Sequence, residues 1–148
     1  MRKAVLCLLM IGLVAGAGLG APGPGEKTVQ FSLGGSVMAM TAKYEEDPYF
    51  LFGAALRVDL NIGRWLGVAP EISAGIGGYS GGVTINVRPG KFFIGAGYVA
   101  AGGFEDEWGL QSLFKVHAGY KSPRALLAAA FLANRWFKGC GLTVGYLF

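Results

Sequence analysis

The chain has 148 residues, of which 26 are glycine, 53% are hydrophobic and only 15% are charged. This length suits one domain, the apolar content excludes a disordered chain, and the glycines lack the Gly-X-Y period of collagen. The formal net charge is only +4. The sequence therefore describes either an unusually apolar soluble domain or a membrane protein.

The first 21 residues have the order of a secretory signal peptide. Arg2 and Lys3 form a basic start, residues 4–14 are almost entirely apolar, and small residues follow. A short membrane anchor is the alternative, but the apolar run is shorter than the roughly 20 residues that a spanning helix needs. We therefore expect three segments, which are a signal peptide at 1–21, a short linker at 22–28 and an exported domain at 29–148.

The exported segment retains a small excess of basic residues and one cysteine, Cys140. This excess is too small to indicate nucleic-acid binding, so we expect no nucleic acid among its partners. A single cysteine excludes an intramolecular disulfide framework. The domain must therefore be held together by its fold alone.

Beyond residue 28 the sequence alternates apolar and small or polar residues with a period of two, which is typical of β-strands. Six segments show this clearly, in chain order 29–39, 50–60, 65–76, 83–88, 110–120 and 140–148. Two further segments, 92–101 and 125–133, are apolar on both faces, and the second is either a strand or a short helix. The sequence thus predicts eight strands.

The two faces of these strands differ in a way that favours a membrane barrel. One face is strongly apolar, whereas the other consists mainly of Gly, Ala, Ser and scattered charges, too few to form a solvated surface. In a small transmembrane barrel the apolar face contacts lipid, and the face of small and charged residues fills a narrow interior. We therefore predict an all-β, eight-stranded antiparallel up-and-down transmembrane barrel with short periplasmic turns. A soluble sandwich is the alternative.

The connections between strands predict the orientation of this barrel, because outer-membrane barrels have short periplasmic turns and longer external loops. We place the external loops at 43–49, 77–81, 102–108 and 134–139, and the periplasmic turns at 61–64, 88–91 and 121–124. Six of the nine acidic residues fall in two of these external loops. The periplasmic turns carry basic residues and no acid, namely Arg64, Arg88, Lys91, Lys121 and Arg124.

Alternation also predicts the strand register at two of the turns. A three-residue loop at 62–64 pairs Asn61 with Trp65. A two-residue Pro-Gly turn places Val87 opposite Phe92. These registers determine which interior side chains meet.

Seven polar or charged residues fall on the face predicted to line the interior, and we expect them to form a mixed-charge network there. In the predicted register Glu71 lies across from Ala55 and diagonal to Arg57, so we expect an interior ion pair between Arg57 and Glu71. Eight strands leave an interior just wide enough for side chains, which disfavours a conducting pore. The seven residues are Arg57, Asp59, Glu71, Asn86, Gln111, Lys115 and His117.

The C-terminal strand alternates apolar residues and places aromatic rings at Tyr146 and Phe148. With these features, residues 28–148 resemble the small eight-stranded outer-membrane barrels of the OmpA/OmpX-like kind. The resemblance implies a location in the bacterial outer membrane, contact with its lipid, and recognition of the C-terminal strand by the barrel-assembly machinery. The external loops are shorter than those that often carry adhesion in this family.

The sequence offers little catalytic chemistry. His117 is the only histidine and cannot form a multi-histidine metal site. It lacks a nearby serine and lies close to a periplasmic turn, which disfavours a lipid A-modifying enzyme. We expect a monomeric, non-catalytic envelope protein without cofactor or metal, in a structural or surface-interaction role. A narrow pore for small solutes or ions and a lipid A-modifying barrel enzyme are the alternatives.

Overall fold

The computed structural model describes residues 28–44, 47–104 and 109–148. The predicted signal peptide at 1–21, and the predicted linker up to residue 27, lie outside the described residues. Eight strands make up most of the described chain, which contains no helix long and apolar enough to cross a membrane. They are β1 (Val29–Ala42), β2 (Tyr49–Asn61), β3 (Leu66–Ile76), β4 (Gly78–Val87), β5 (Phe92–Gly103), β6 (Gln111–Lys121), β7 (Ala125–Ala133) and β8 (Phe137–Leu147).

Every strand pairs antiparallel with its neighbour in sequence, and β1 also pairs with β8, so the sheet closes on itself. The predicted eight-stranded antiparallel barrel is therefore confirmed. The segment 125–133 forms β7 rather than a helix. It is apolar on both faces because one side contacts the apolar interior at Leu126 and Leu132, while Leu127 and Phe131 point outward.

The two predicted turn registers are wrong by two residues. Asn61 pairs with Gly67, two positions beyond its predicted partner, and Val87 pairs with Ile94, again two positions beyond. Both turns are longer than the shortest loop that the pattern allows. A shift of two leaves each side chain on its predicted face, because side chains alternate with a period of two.

The connection between β3 and β4 is much shorter than predicted. β4 begins at Gly78, so only Gly77 separates the strands, and most of the predicted external loop at 77–81 belongs to β4. Gly77 has a φ of +89°, a conformation that favours glycine, and a Cβ there would overlap the carbonyl oxygen of Phe50. The predicted contrast in loop length therefore holds for the β1–β2 and β5–β6 connections but not for this one. It also fails for the β7–β8 connection, because β8 begins at Phe137 and only residues 134–136 of the predicted loop at 134–139 separate the strands.

We call the end of the barrel with the β2–β3, β4–β5 and β6–β7 connections the short-turn end, and the opposite end the loop end. A ring of large, exposed apolar side chains covers the outer surface between the two ends. All eight strands contribute to this ring, through Phe31, Leu33, Phe50, Phe52, Ile72, Ile85, Ile94, Phe114, Leu127, Phe131, Leu142 and Val144.

The interior contains two groups of buried apolar side chains. The sequence predicts an interior of small and charged residues instead. Seven buried apolar side chains from six strands close the loop end, and we call them the loop-end layer. Four more pack near the short-turn end, and polar side chains fill the space between and beside the two groups. The loop-end layer comprises Met40, Leu51, Val99, Ala101, Leu113, Leu132 and Phe137, and the second group comprises Phe93, Leu126, Ala128 and Leu147.

Candidate functional site: the polar interior

Arg57 on β2 lies at the centre of the polar interior. It is 4% exposed, and its Nε and Nη2 donate to Asp59 Oδ1 at 3.1 and 2.9 Å. The two residues are two apart on one strand, so both face inward. The Arg57 guanidinium also lies 4.9 Å from the centre of the Phe93 ring, a cation–π geometry.

The predicted ion pair between Arg57 and Glu71 is present, with Nη1 and Oε2 3.9 Å apart. The reason differs from the prediction, because the shifted register places Glu71 directly opposite Arg57 instead of diagonal to it. Lys115 on β6 reaches across the barrel to the other oxygen of Glu71. The Glu71 carboxylate therefore contacts one cation from β2 and one from β6.

Lys121 extends this arrangement toward the short-turn end, where its Nζ lies 3.0 Å from Asp59 Oδ2. Five charged side chains therefore form one continuous series, which we call the ionic chain, and its order is Lys121, Asp59, Arg57, Glu71 and Lys115. Each carboxylate contacts two cations, so neither negative charge is buried without a partner. This pairing is what makes charged groups tolerable in so narrow an interior.

Asn86 and His117 form a second polar contact, 2.5 Å between Asn86 Oδ1 and His117 Nε2. They come from β4 and β6, and Gly95 on the intervening strand lies between them in register. A Cβ at Gly95 would overlap both polar atoms, so the glycine provides the space that the contact occupies. The edge of the Phe93 ring packs against the imidazole, with 5.4 Å between the ring centres.

Of the seven residues proposed for the interior network, the structure brings together four in the ionic chain and two in the Asn86–His117 contact. Gln111 lies apart, near the loop end, where its Nε2 donates to Gly109 O at 3.3 Å. Sequence reasoning placed Lys121 in a turn and missed its role, although it shares the odd-numbered, inward face of β6 with Lys115 and His117. The pattern of the strand therefore contained the signal.

A small cavity of about 40 Å³ lies between the ionic chain and the loop-end layer. Its walls include Arg57, Glu71 and Lys115, together with the hydrogen-bonded hydroxyls of Ser73 and Ser80, 2.8 Å apart. This volume holds about two or three water molecules. It does not reach the size of a site for an organic ligand.

Basic and aromatic side chains form a patch on the loop end, where the β1–β2 and β7–β8 connections meet. The Tyr44 and Trp136 rings lie 6.2 Å apart; Lys43 Nζ is 5.4 Å from the first ring and the Arg135 guanidinium 5.1 Å from the second. Asn134 Oδ1 fixes this turn by accepting from the backbone N–H of Trp136 at 2.7 Å. We call these four side chains, with neighbouring Lys138, the loop-end patch.

The two residues proposed as an assembly signal lie at the end of the closing strand. Tyr146 and Phe148 both point outward, and their rings meet edge to face with centres 5.2 Å apart. The backbone N–H of Phe148 donates to Phe31 O at 2.9 Å, which fixes the chain end against β1. Cys140 lies further along the same outward face.

No protein-family model and no curated protein sequence matches the chain. Solved structures do match its fold. One is Ail, the attachment invasion locus protein of Yersinia pestis, in complex with the heparin analogue sucrose octasulfate. The alignment covers 81% of this chain and 97% of the Ail chain, at 14% identity and a TM-score of 0.50. Neisserial surface protein A (NspA) aligns with 82% of this chain and 96% of its own, at 12% identity and a TM-score of 0.56. Both are eight-stranded outer-membrane β-barrels.

Proposed function

Because the chain has the fold of the eight-stranded outer-membrane barrels, we propose that it is an integral protein of the bacterial outer membrane with a structural or surface-interaction role and no catalytic activity. The observation that carries this proposal is the combination of a closed sheet with an outward ring of large apolar side chains. In lipid every backbone polar group needs an internal partner, and closure supplies one along the strands. Residues 1–21 would direct export, and the C-terminal strand would engage the barrel-assembly machinery.

The packing of the interior supports a closed scaffold. The loop-end layer fills one end of the barrel with seven apolar side chains, and the ionic chain crosses the middle. The walls of the cavity include Met38 and Ala130, which pack against that layer. An ion crossing the barrel would have to displace both the layer and the paired charges.

The surroundings of His117 support a non-catalytic role. Its side chain is 2% exposed, hydrogen-bonds Asn86 and packs against Phe93. A general base needs access to the proton that it removes. Here the imidazole lies inside the barrel, whereas the acyl chains of a lipid substrate would lie outside it.

The loop-end patch supports the surface-interaction part of the role. Exposed cations beside exposed aromatic rings suit an anionic carbohydrate, because the cations attract its charges and the rings pack against its sugar faces. Ail, which shares the fold, was crystallised with a heparin analogue. We extend to this chain only the class of ligand, an anionic glycan.

Expression of the full 148-residue chain in a Gram-negative host tests the membrane assignment. We expect the protein in the outer-membrane fraction, and we expect unheated samples to migrate differently from boiled ones on gels because a folded barrel resists the detergent. A chain without residues 1–21 is the control and should stay out of the outer membrane. Recovery of the full chain as a soluble periplasmic protein, with no heat-dependent migration, would contradict the assignment.

Planar-bilayer recording distinguishes the closed scaffold from a narrow pore. The cavity beside Arg57, Glu71 and Lys115 is the observation that favours the pore, because its opening at both sides would create a charged path. We expect no reproducible unitary conductance from protein whose folding has been checked by gel migration. A larger porin in the same bilayer is the positive control. Unitary steps from the folded chain would show that it conducts.

A further inference from the structure

The short-turn end carries cations that the interior does not use. Five basic residues were predicted there, and the structure divides them into two groups. Arg88 is buried, and Lys121 belongs to the ionic chain. The remaining three are exposed to the outside, namely Arg64, Lys91 and Arg124.

Within the described residues, no exposed acidic side chain balances these three cations. Asp59 and Glu71 belong to the ionic chain inside the barrel, and Asp47 lies at the loop end. Among the described residues, the charged side chains exposed at the outer rim of the short-turn end are therefore all positive. A rim of this kind attracts an anionic partner.

Backbone hydrogen bonds hold the three turns in a fixed order around this rim. Each turn is joined to the strand or turn beside it, so the backbone positions that carry the cations are fixed relative to one another. The bonds run from Arg88 N to Trp65 O at 2.9 Å, from Lys121 N to Lys91 O at 2.7 Å, and from Leu147 N to Arg124 O at 3.0 Å.

Aromatic rings indicate the depth at which the cations lie. The Arg64 guanidinium is 5.5 Å from the centre of the Trp65 ring, and Trp65 is 54% exposed on the outer surface. Next to Lys91, the exposed Phe92 ring packs edge to face with Tyr120, with 5.4 Å between the ring centres. Exposed tryptophan and tyrosine rings at the ends of transmembrane strands lie at the level of the lipid headgroups.

We propose that this rim, with Arg64, Lys91 and Arg124 on three successive turns and the Trp65 and Phe92 rings beside the first two, binds the phosphates of anionic phospholipids in the periplasmic leaflet, one headgroup at each turn. The proposal rests on the membrane location proposed above. A phosphatidylglycerol-type headgroup retains a net negative charge, whereas a zwitterionic headgroup does not. The guanidinium and ammonium groups donate to phosphate oxygens while the rings contact the upper acyl chains.

Trp65 provides a local reporter of the lipid at this rim. The chain has three tryptophans, Trp65, Trp108 and Trp136, so the substitutions Trp108→Phe and Trp136→Phe leave Trp65 alone. This parent chain is refolded into vesicles that contain brominated phosphatidylglycerol or brominated phosphatidylcholine, and quenching of Trp65 is compared. We expect about a fivefold preference for the anionic lipid, the value for one basic side chain near an anionic surface.

Two triple variants with the same change in net charge test where the preference arises. Replacing Arg64, Lys91 and Arg124 with glutamine should reduce the ratio to about one. Replacing the loop-end cations with glutamine should leave it about fivefold, because those side chains lie at the opposite end of the barrel. The loop-end variant carries Lys43→Gln, Arg135→Gln and Lys138→Gln.

Equal quenching by the two lipids in the parent chain would overturn the proposal, as would an unchanged preference in the short-turn variant. An equal loss in both variants would also overturn it, because the cause would then be total charge. If the short-turn variant does not fold, about 0.5 M salt must abolish the preference of the parent chain, since salt screens exposed charges. Failure of the parent chain to show heat-dependent migration, or quenching by neither lipid, would instead refute the membrane location itself.

Discussion

Replacing Asp59 with alanine is expected to destabilise the folded barrel by about 3–5 kcal/mol, the usual cost of removing one partner from a buried ion pair. Asp59 accepts from Arg57 and contacts Lys121, and all three side chains are largely buried. The variant leaves two cations facing each other without the carboxylate between them. Urea titration of the protein refolded in vesicles, followed by the gel shift of the folded form, measures this loss.

Two further variants identify the cause of that loss. Gln111→Ala removes a polar side chain outside the ionic chain and should change the free energy of unfolding by less than about 0.5 kcal/mol. Adding Lys121→Met to Asp59→Ala removes the cation that has lost its partner in the ionic chain and should restore part of the stability. A loss below about 1 kcal/mol for Asp59→Ala would mean that the ionic chain contributes little to the fold.

Replacing Leu142 with arginine is expected to destabilise the barrel in lipid by about 2–4 kcal/mol, the cost of an arginine on the lipid face at the bilayer midplane. Leu142 lies in the middle of β8 and points outward, with 52% of its side chain exposed. The same urea titration in vesicles measures the change. Leu142→Ala, which removes size without adding charge, should cost less.

Val87 offers a control matched in exposure. It is also 52% exposed and points outward, but it is the last residue of β4, at the short-turn end. Val87→Arg should cost only about 0–1 kcal/mol because an arginine near the interface reaches the headgroups. Equal losses at the two positions would contradict the assignment of the outer surface to lipid, since a soluble surface has no dependence on depth.

In the six strands with clear alternation, the sequence was sufficient to predict which face each residue occupies. Arg57 and Asp59 on β2 and Lys115 and His117 on β6 fall on the inward faces that their parity indicates. The reason is geometric, because successive side chains of a strand point to opposite sides whatever the strand pairs with. Closure of the eight strands follows from the same pattern, since an apolar outer face requires lipid and lipid excludes an open edge.

Contacts between strands could not be predicted in the same way, because they depend on register. A shift of two residues keeps every face and changes every partner. Glu71 therefore lies opposite Arg57 instead of Ala55. The tight turn at Gly77 could not be predicted either, because the composition of a glycine-rich segment is compatible with both a tight turn and a longer loop.

The loop-end layer escaped prediction for a different reason. Three of its seven members, Val99, Ala101 and Leu132, belong to the two strands that are apolar on both faces, where alternation carries no contrast. Burial of Leu51 and Leu113 among smaller or polar neighbours on the same faces is visible only when six strands are brought together. Local pattern therefore predicts the lipid face better than it predicts the packing of the interior.

The place of Gly95 has a consequence for how this protein can change over evolutionary time. Asn86, Gly95 and His117 occupy one row across three adjacent strands, and the outer two side chains meet in the space above the glycine. Any larger residue at Gly95 would have to be accompanied by a shorter one at Asn86 or His117. The three positions, far apart in sequence, are thus bound to vary together, and a substitution at one of them limits those that selection can accept at the other two.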